Sequence, residues 1–310
     1  MRLLHFQEPP PLRLADALER FEHQFTYPLG AEGRFRISHG PAYLPFFQAM
    51  GRASLWIAEQ AGEVLGTLVS VPRLLQFCGT SEGSLPAHYL CDLKVRPQAR
   101  HGRVLALLMK GAKQGIEAEG GSACYSIVMQ GTARSPDSYT GRLGIPRFGI
   151  LGHIDVLRIS RSGPEPWPAD GAPPQSASPG PGCRVTGGCS PLRSVMEAMS
   201  VCTPDGKAGG LLEDTRKGKR LWVDGAGEML SAHLSGFCFE DPAAGATVIR
   251  RALDRAEAAG FGAVFAAVPA SRSRALREAL PGLAAGSAPA TIFGRELPQG
   301  QEWWVDTAEI

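Results

Sequence analysis

The chain has 310 residues, 44% of them hydrophobic and 20% charged, and its 32 basic and 30 acidic side chains give a formal charge of +2. That is the composition of a folded protein with apolar surface enough for real cores, and the even mixing of charge leaves no basic stripe to track a nucleic-acid backbone. No apolar run approaches the ~18 residues that a membrane span needs, so neither nucleic acid nor a membrane-spanning role is expected.

Arg2 to Gln7 reads as a strand, and Leu14 to Phe25 as a helix, because Leu14, Ala17, Leu18, Phe21 and Phe25 share one face. Leu44 to Met50 can form a second, short helix with Pro45 in its first turn. Ser54 to Glu59 and Glu63 to Leu75 flank Gln60-Ala61-Gly62 as the arms of a hairpin. His88 to Val95 is a strand, Val104 to Ile116 an amphipathic helix, Cys124 to Met129 a strand, Pro136 to Leu143 a short helix and Phe148 to Ile159 a long strand.

Between Ser162 and Pro191 the chain carries eight prolines and six glycines. Proline lacks a backbone N–H and glycine resists ordering, so the segment is expected to join two folded units without a helix or central strand of its own. The boundaries predicted are 1–161 for the first unit, 162–191 for the linker and 192–310 for the second. Beyond the linker, Lys219 to Val223 and Glu228 to Phe237 flank the turn Asp224-Gly225-Ala226-Gly227 as a hairpin. A helix over Val248 to Ala259, a strand over Ala263 to Val268, a short helix over Arg272 to Leu280, and strands over Thr291 to Leu297 and Glu302 to Thr307 complete the chain. The repeated succession of strand, helix, strand, short helix and strand suggests an internal duplication.

Seven cysteines are scattered with no CxxC pair, which fits reduced, mostly buried thiols and no metal. The N-terminal MRLLHFQEPPPLR has a short apolar patch followed by Glu8 and prolines, unlike a secretory signal, so a cytoplasmic location is expected. There is no P-loop or dinucleotide fingerprint.

The order of elements, with Asp92-Leu93-Lys94-Val95-Arg96-Pro97 and then Arg100, resembles the GNAT superfamily of acyl-CoA-dependent N-acyltransferases over residues 1 to about 160. The resemblance implies an α/β (α+β) fold with a mixed, mostly antiparallel sheet flanked by helices, in tandem with a second, partial unit of the same kind. It implies acetyl-CoA or another acyl-CoA as co-substrate and a small-molecule or peptide amine as acceptor, with a homodimer as one arrangement. Leu93, Val95, Arg100, His101, Gly102, Arg103, Val104 and Leu105 are the positions it assigns to coenzyme A. Independently of the family, the first turn of a helix offers unpaired N–H groups and a positive dipole end, which favour a phosphate. The family's glycines would fall on Arg103 and Leu105, whereas the glycine present is Gly102.

Acyl transfer to an amine needs a polarised carbonyl, a base for the amine and a proton for the leaving thiolate. The resemblance gives the first task to a backbone N–H near Val95. Strand alternation puts Asp92 on one face with His88, Leu90 and Lys94, making Asp92 the first candidate base and His88 the second, with an Asp92–Lys94 salt bridge as the alternative role for Asp92. Tyr139, next to the Thr140 position where the family places its tyrosine, is the candidate acid. A non-catalytic acyl-CoA-binding or partner-binding protein and a longer-chain acyltransferase are the competing readings.

Overall fold

The computed structural model describes residues 1–29, 33–78, 83–100, 103–132, 134–142, 144–162 and 182–310. The first half runs β1 (Arg2–Phe6), α1 (Leu12–Glu22), β2 (Tyr27–Leu29), β3 (Gly33–Ser38), α2 (Pro45–Gln48), β4 (Ser54–Gln60), β5 (Glu63–Cys78), β6 (Gly83–Val95), α3 (Arg103–Ala118), β7 (Cys124–Met129) and β8 (Gly149–Arg161). The second runs β9 (Gly182–Val185), β10 (Met199–Cys202), β11 (Ala208–Glu213), β12 (Arg220–Val223), β13 (Gly227–Glu228), β14 (Ala232–Phe239), α4 (Pro242–Ala258), β15 (Val264–Pro269), α5 (Ala270–Glu278), β16 (Leu283–Arg295) and β17 (Trp303–Trp304).

Thirteen strands form one sheet, in the order β1-β4-β5-β6-β7-β16-β8-β15-β14-β11-β10, with β9 joined to β5 and β17 to β9. The sheet is mostly antiparallel, and helices cover it, as expected from the sequence. Parallel pairing occurs at β6/β7 and at β14/β15 in the body of the sheet, and between β17 and β9 beside it. The centre is an exchange: β16 pairs with β7 on one side and with β8 on the other, while β8 pairs in turn with β15. Chain segments before and after residues 162–191 therefore share one set of ladders. A four-stranded sheet, β13-β12-β3-β2, joins the two halves a second time.

Core packing follows the apolar stripes. Leu14, Leu18 and Phe21 of α1 and Phe46 and Phe47 of α2 close over Leu55, Ile57, Val69 and Val71 on one face of the sheet. On the opposite face Val104, Leu108, Ala112 and Ile116 of α3 cover Trp56, Leu68 and Leu90. The helix can lie this close because Gly66, Gly111 and Gly115 have no side chain: a Cβ at Gly115 would stand 2.7 Å from the Trp56 ring.

Four expectations are corrected. Pro136 to Leu143 gives only a single 3-10 turn at Pro136–Ser138 among the described residues. Gly141 and Gly144 take positive φ of 75° and 76°, and Thr140 Oγ1 accepts the Phe148 N–H at 3.1 Å, so the segment closes as a loop. The hairpin turn at 224–227 forms, but its second arm divides: β13 stays with β12 while β14 crosses to the main sheet. The proline-rich segment does hold a strand, β9, where Gly-Cys-Arg-Val is free of proline and buries Cys183 and Val185. Finally, Asp92 does not share a face with His88, for the reason given below.

Candidate functional site

β6 and β7 are parallel neighbours only at His88–Cys124 and Tyr89–Tyr125, and beyond these pairs the two strands part. The outer edge of β7 stays occupied by β16 as far as Met129–Ala290, so the gap opens solely toward β6. Partly exposed Cys91, Leu93 and Val95 on β6 and Ile127, Val128 and Met129 on β7 are the apolar residues of its walls.

At the mouth of the gap, Arg96 N–H donates to Leu65 O at 2.9 Å while Val95 stands opposite Gly66. In an antiparallel ladder this makes Val95–Gly66 a non-hydrogen-bonded pair, so the Val95 N–H and C=O point away from β5, toward the gap. Arg100 reaches back and donates from Nε to Val95 O at 3.3 Å. α3 begins beside them. Its Val104 is buried against Gly66, where an added Cβ would stand 2.9 Å from Val104 Cγ1 and 2.8 Å from Lys94 O. Arg103 is exposed at the helix start, and Leu105 packs partly into the core below α3. His101 and Gly102 lie outside the described residues. Leu93, Val95, Arg100, Arg103 and Val104 are thus brought to one end of the gap, where the first-turn N–H groups of α3 lack intrahelical acceptors.

Halfway along β6 the ladder with β5 slips between Thr67 and Val69, and Asp92 takes φ +51°. This is a β-bulge with its extra residue in the left-handed region, which aspartate tolerates better than most residues. The bulge reverses the alternation. His88 and Leu90 face α3 before it, Leu93 and Val95 face α3 after it, and Asp92 and Lys94 turn to the α1 face.

On that face Asp92 belongs to a buried chain of charges. Tyr43 OH donates to Asp92 Oδ2, and Lys94 Nζ lies 2.6 Å from Asp92 Oδ1 and 2.9 Å from Glu22 Oε1. Glu22 Oε1 also meets His39 Nδ1 at 2.7 Å, and Glu22 Oε2 accepts the His39 backbone N–H at 3.0 Å. Burial pushes the Glu22 carboxyl up, but His39 and Lys94 outweigh it and hold the group down at about 2. Burial likewise opposes the Lys94 ammonium, and Asp92, Tyr43 and Glu22 more than reverse that, raising it well above its usual value. Glu22, His39 and Asp92 place one ligand atom each within 4.8 Å of one another, the geometry of a cation site, and the Lys94 ammonium is the cation between the two carboxylates.

His88 lies on the other side of the sheet. It is buried, its Nδ1 has no hydrogen-bond partner among the described residues, and burial, assisted by Arg52 and opposed by Glu119, lowers its pKa. Tyr139 follows the 3-10 turn, where burial and Asp137 push its phenol up to about 12. Asp92, His88 and Tyr139 are therefore not one constellation. The residues that sequence reasoning missed are Glu22, His39 and Tyr43. Glu22 carried a signal, since it stands four residues after Leu18 on the apolar stripe of α1 and is fully covered there.

No family model matches the chain, and no curated protein matches its sequence. Solved structures do match its fold. N-myristoyltransferase of Saccharomyces cerevisiae with bound myristoyl-CoA superposes with a TM-score of 0.60 at 9% identity, over 96% of this chain and 84% of that one. A second structure of the yeast enzyme with myristoyl-CoA gives 0.57 at 10% identity, over 96% and 80%. At such identity the likeness concerns architecture alone, and it extends to both halves of the chain. The fold of this protein is the one seen in the yeast N-myristoyltransferase, a mostly antiparallel sheet with parallel strands that separate at its centre.

Proposed function

We propose that this protein is an acyl-CoA-dependent N-acyltransferase that moves an acetyl group from acetyl-CoA to a primary amine by direct attack in a ternary complex. The observation that carries the reading is the parting of β6 and β7 after Tyr89 and Tyr125, which leaves the Val95 N–H directed into the gap beside the start of α3. In this reading the phosphates of coenzyme A lie against Arg100, Arg103 and the first-turn amides of α3. The Val95 N–H polarises the thioester carbonyl. The acceptor, a small-molecule or peptide amine, approaches from the α1 face, where Asp92 takes the ammonium proton. The leaving thiolate takes its proton from solvent, since a thiol near ~8.5 is mostly protonated at neutral pH, whereas transfer from a Tyr139 phenol pushed up to about 12 runs uphill. No metal takes part.

The same reading treats residues 1–161 as the acyl-CoA-binding unit and 192–310 as a partial second copy that carries no cofactor. It is supported by the start of α4, which has no basic residue before Arg250, and by the parallel β14/β15 pair that parallels β6/β7. Among the described residues no helix is long and apolar enough to cross a membrane, and we place the protein in the cytoplasm. A longer acyl group is the second reading, favoured by the myristoyl-CoA bound to the yeast enzyme that shares the fold.

Calorimetric titration with coenzyme A, acetyl-CoA and a long-chain acyl-CoA tests the proposal. Micromolar binding is expected, weakened by about three- to tenfold in Arg100→Ala and in Arg103→Ala, the loss of one partly exposed charge-assisted contact. A folded protein that binds none of the three overturns it.

A further inference from the structure

The point where β6 and β7 separate is closed by rings. Tyr89 and Tyr125, the last cross-strand pair, stack with centroids 5.0 Å apart and planes 16° from parallel. Tyr125 leans in turn on Trp303, at 5.5 Å and 40°. The three are 4%, 1% and 0% exposed. Trp303 is itself fixed, because β17 pairs with Cys183 and Arg184 of β9, and a Cβ at Gly152 would stand 2.7 Å from Trp303 Cδ1. A side chain held on both sides in this way gives little when pressed.

On the proposed acyltransferase reading, the donor enters at the mouth, past Arg100, and its carbonyl stops at the Val95 N–H. The acyl group must then continue toward the narrowing end of the gap. Paired strands stand only ~4.8 Å apart there, with no room for a hydrocarbon tail between them. Leaving the plane toward α3 leads to a shallow, partly open pocket of about 30 Å³ in which Leu90, Met109 and Phe148 meet the charged Lys113, Glu117 and Arg295, room for one or two waters and a poor setting for a hydrocarbon tail. Leaving it on the other face leads onto the stacked rings.

We infer that the Tyr89–Tyr125–Trp303 stack is the acyl-length stop of this protein, restricting the transferred group to a few carbons. The tyrosines act by volume, as the floor against which the end of the acyl group rests. Removal of one ring opens a cavity along the line of the gap, and a ring without its hydroxyl keeps the floor in place.

The test is a chain-length series of acetyl-, butanoyl-, octanoyl- and tetradecanoyl-CoA, read as dissociation constants by calorimetry and as kcat/KM with a primary amine acceptor. The wild-type protein is expected to prefer acetyl and butanoyl over octanoyl by about tenfold or more, the discrimination a filled apolar pocket exerts on added methylenes. Tyr125→Ala is expected to shift that ratio toward octanoyl-CoA by about tenfold, and Tyr125→Phe to keep the wild-type ratio. Should Tyr125→Ala fail to fold, Tyr89→Leu, which keeps an apolar side chain at the neighbouring position, replaces it. Equal affinity of the wild type for acetyl- and tetradecanoyl-CoA overturns the inference and leaves the acyltransferase reading intact, as does a folded Tyr125→Ala with an unmoved ratio. Binding of no coenzyme A species overturns both.

Discussion

Asp92 occupies a backbone conformation that costs a non-glycine residue about 1 kcal/mol, and its surroundings hold it there. Thr67 Oγ1 donates to Asp92 O at 3.0 Å, Tyr43 OH donates to one carboxylate oxygen and Lys94 sits on the other. Asp92→Asn can keep the left-handed backbone and a hydrogen bond to Tyr43 while losing the charge. If Asp92 is the base, this variant loses about 10²- to 10⁴-fold in kcat/KM with its melting transition still cooperative; full activity would assign Asp92 to the ion pair alone. Glu22 gives a separate, pH-dependent signature. Its folded pKa of about 2 lies below the ordinary glutamate value of 4.5, so its contribution to stability is complete above about pH 4.5 and is lost as the pH falls toward 2. Urea unfolding between pH 2 and 7 should show that loss in the wild type and a flatter curve in Glu22→Gln. The reversal of faces at Asp92 was not legible in the sequence. Alternation assumes a period of two, and nothing in Cys91-Asp92-Leu93 marks the inserted residue, because aspartate suits a strand end, a turn and a bulge alike.

α3 reaches the gap through a helix–sheet contact that depends on Gly66. An alanine there would bring its Cβ to 2.8 Å from Lys94 O, a backbone atom in the strand that carries Val95, and to 2.9 Å from Val104. Neither can yield without moving β6 or the start of α3. Gly66→Ala is expected to destabilise the protein by about 1–3 kcal/mol and to weaken coenzyme A binding beyond that of the surface change Lys113→Ala, as read by melting and calorimetry on the same samples. Wild-type affinity in a destabilised Gly66→Ala would mean that the α3 start does not touch the donor. Elements with a strong period were readable before the fold was known: β7 was placed at Cys124–Met129 and α3 to within a few residues. The weaker elements were not, for physical reasons. β2 is three residues centred on Pro28, β3 alternates charged and apolar residues after Gly33, and β10 and β11 are strands of four and six residues with little hydrophobic period. Such strands are stabilised by the ladders they join more than by their own residues.

The whole molecule is held together by exchange at its centre and by buried ion pairs that cross between its halves. β16 lies against β7 from Ala290–Met129 to Arg295–Cys124, and against β8 from Leu283–Arg161 to Gly294–Gly149. Near the end of the chain, Glu309 bridges Arg73 of β5 and the fully buried Arg193, which also forks onto Glu213 of β11. The proline-rich composition of 162–191 pointed to a joint between two units, and the exchange was invisible to it, because periodicity specifies a strand and leaves its neighbour unspecified. The consequence for folding is direct. Residues 1–162 alone would present the β7 edge and both edges of β8 unpaired, together with apolar surface made for β16 and β15, the state that leads to edge-to-edge association. They would also leave Arg73 buried without Glu309, and breaking a buried pair by removing one partner costs about 3–5 kcal/mol. Expressed separately, chains 1–162 and 182–310 should each aggregate or fail to give a cooperative transition. Expressed together, they should co-purify as a one-to-one complex that unfolds in a single step, read by light scattering and calorimetry. Two soluble monomers with independent transitions would show instead that each half completes its own sheet and that the central ladders contribute little to either.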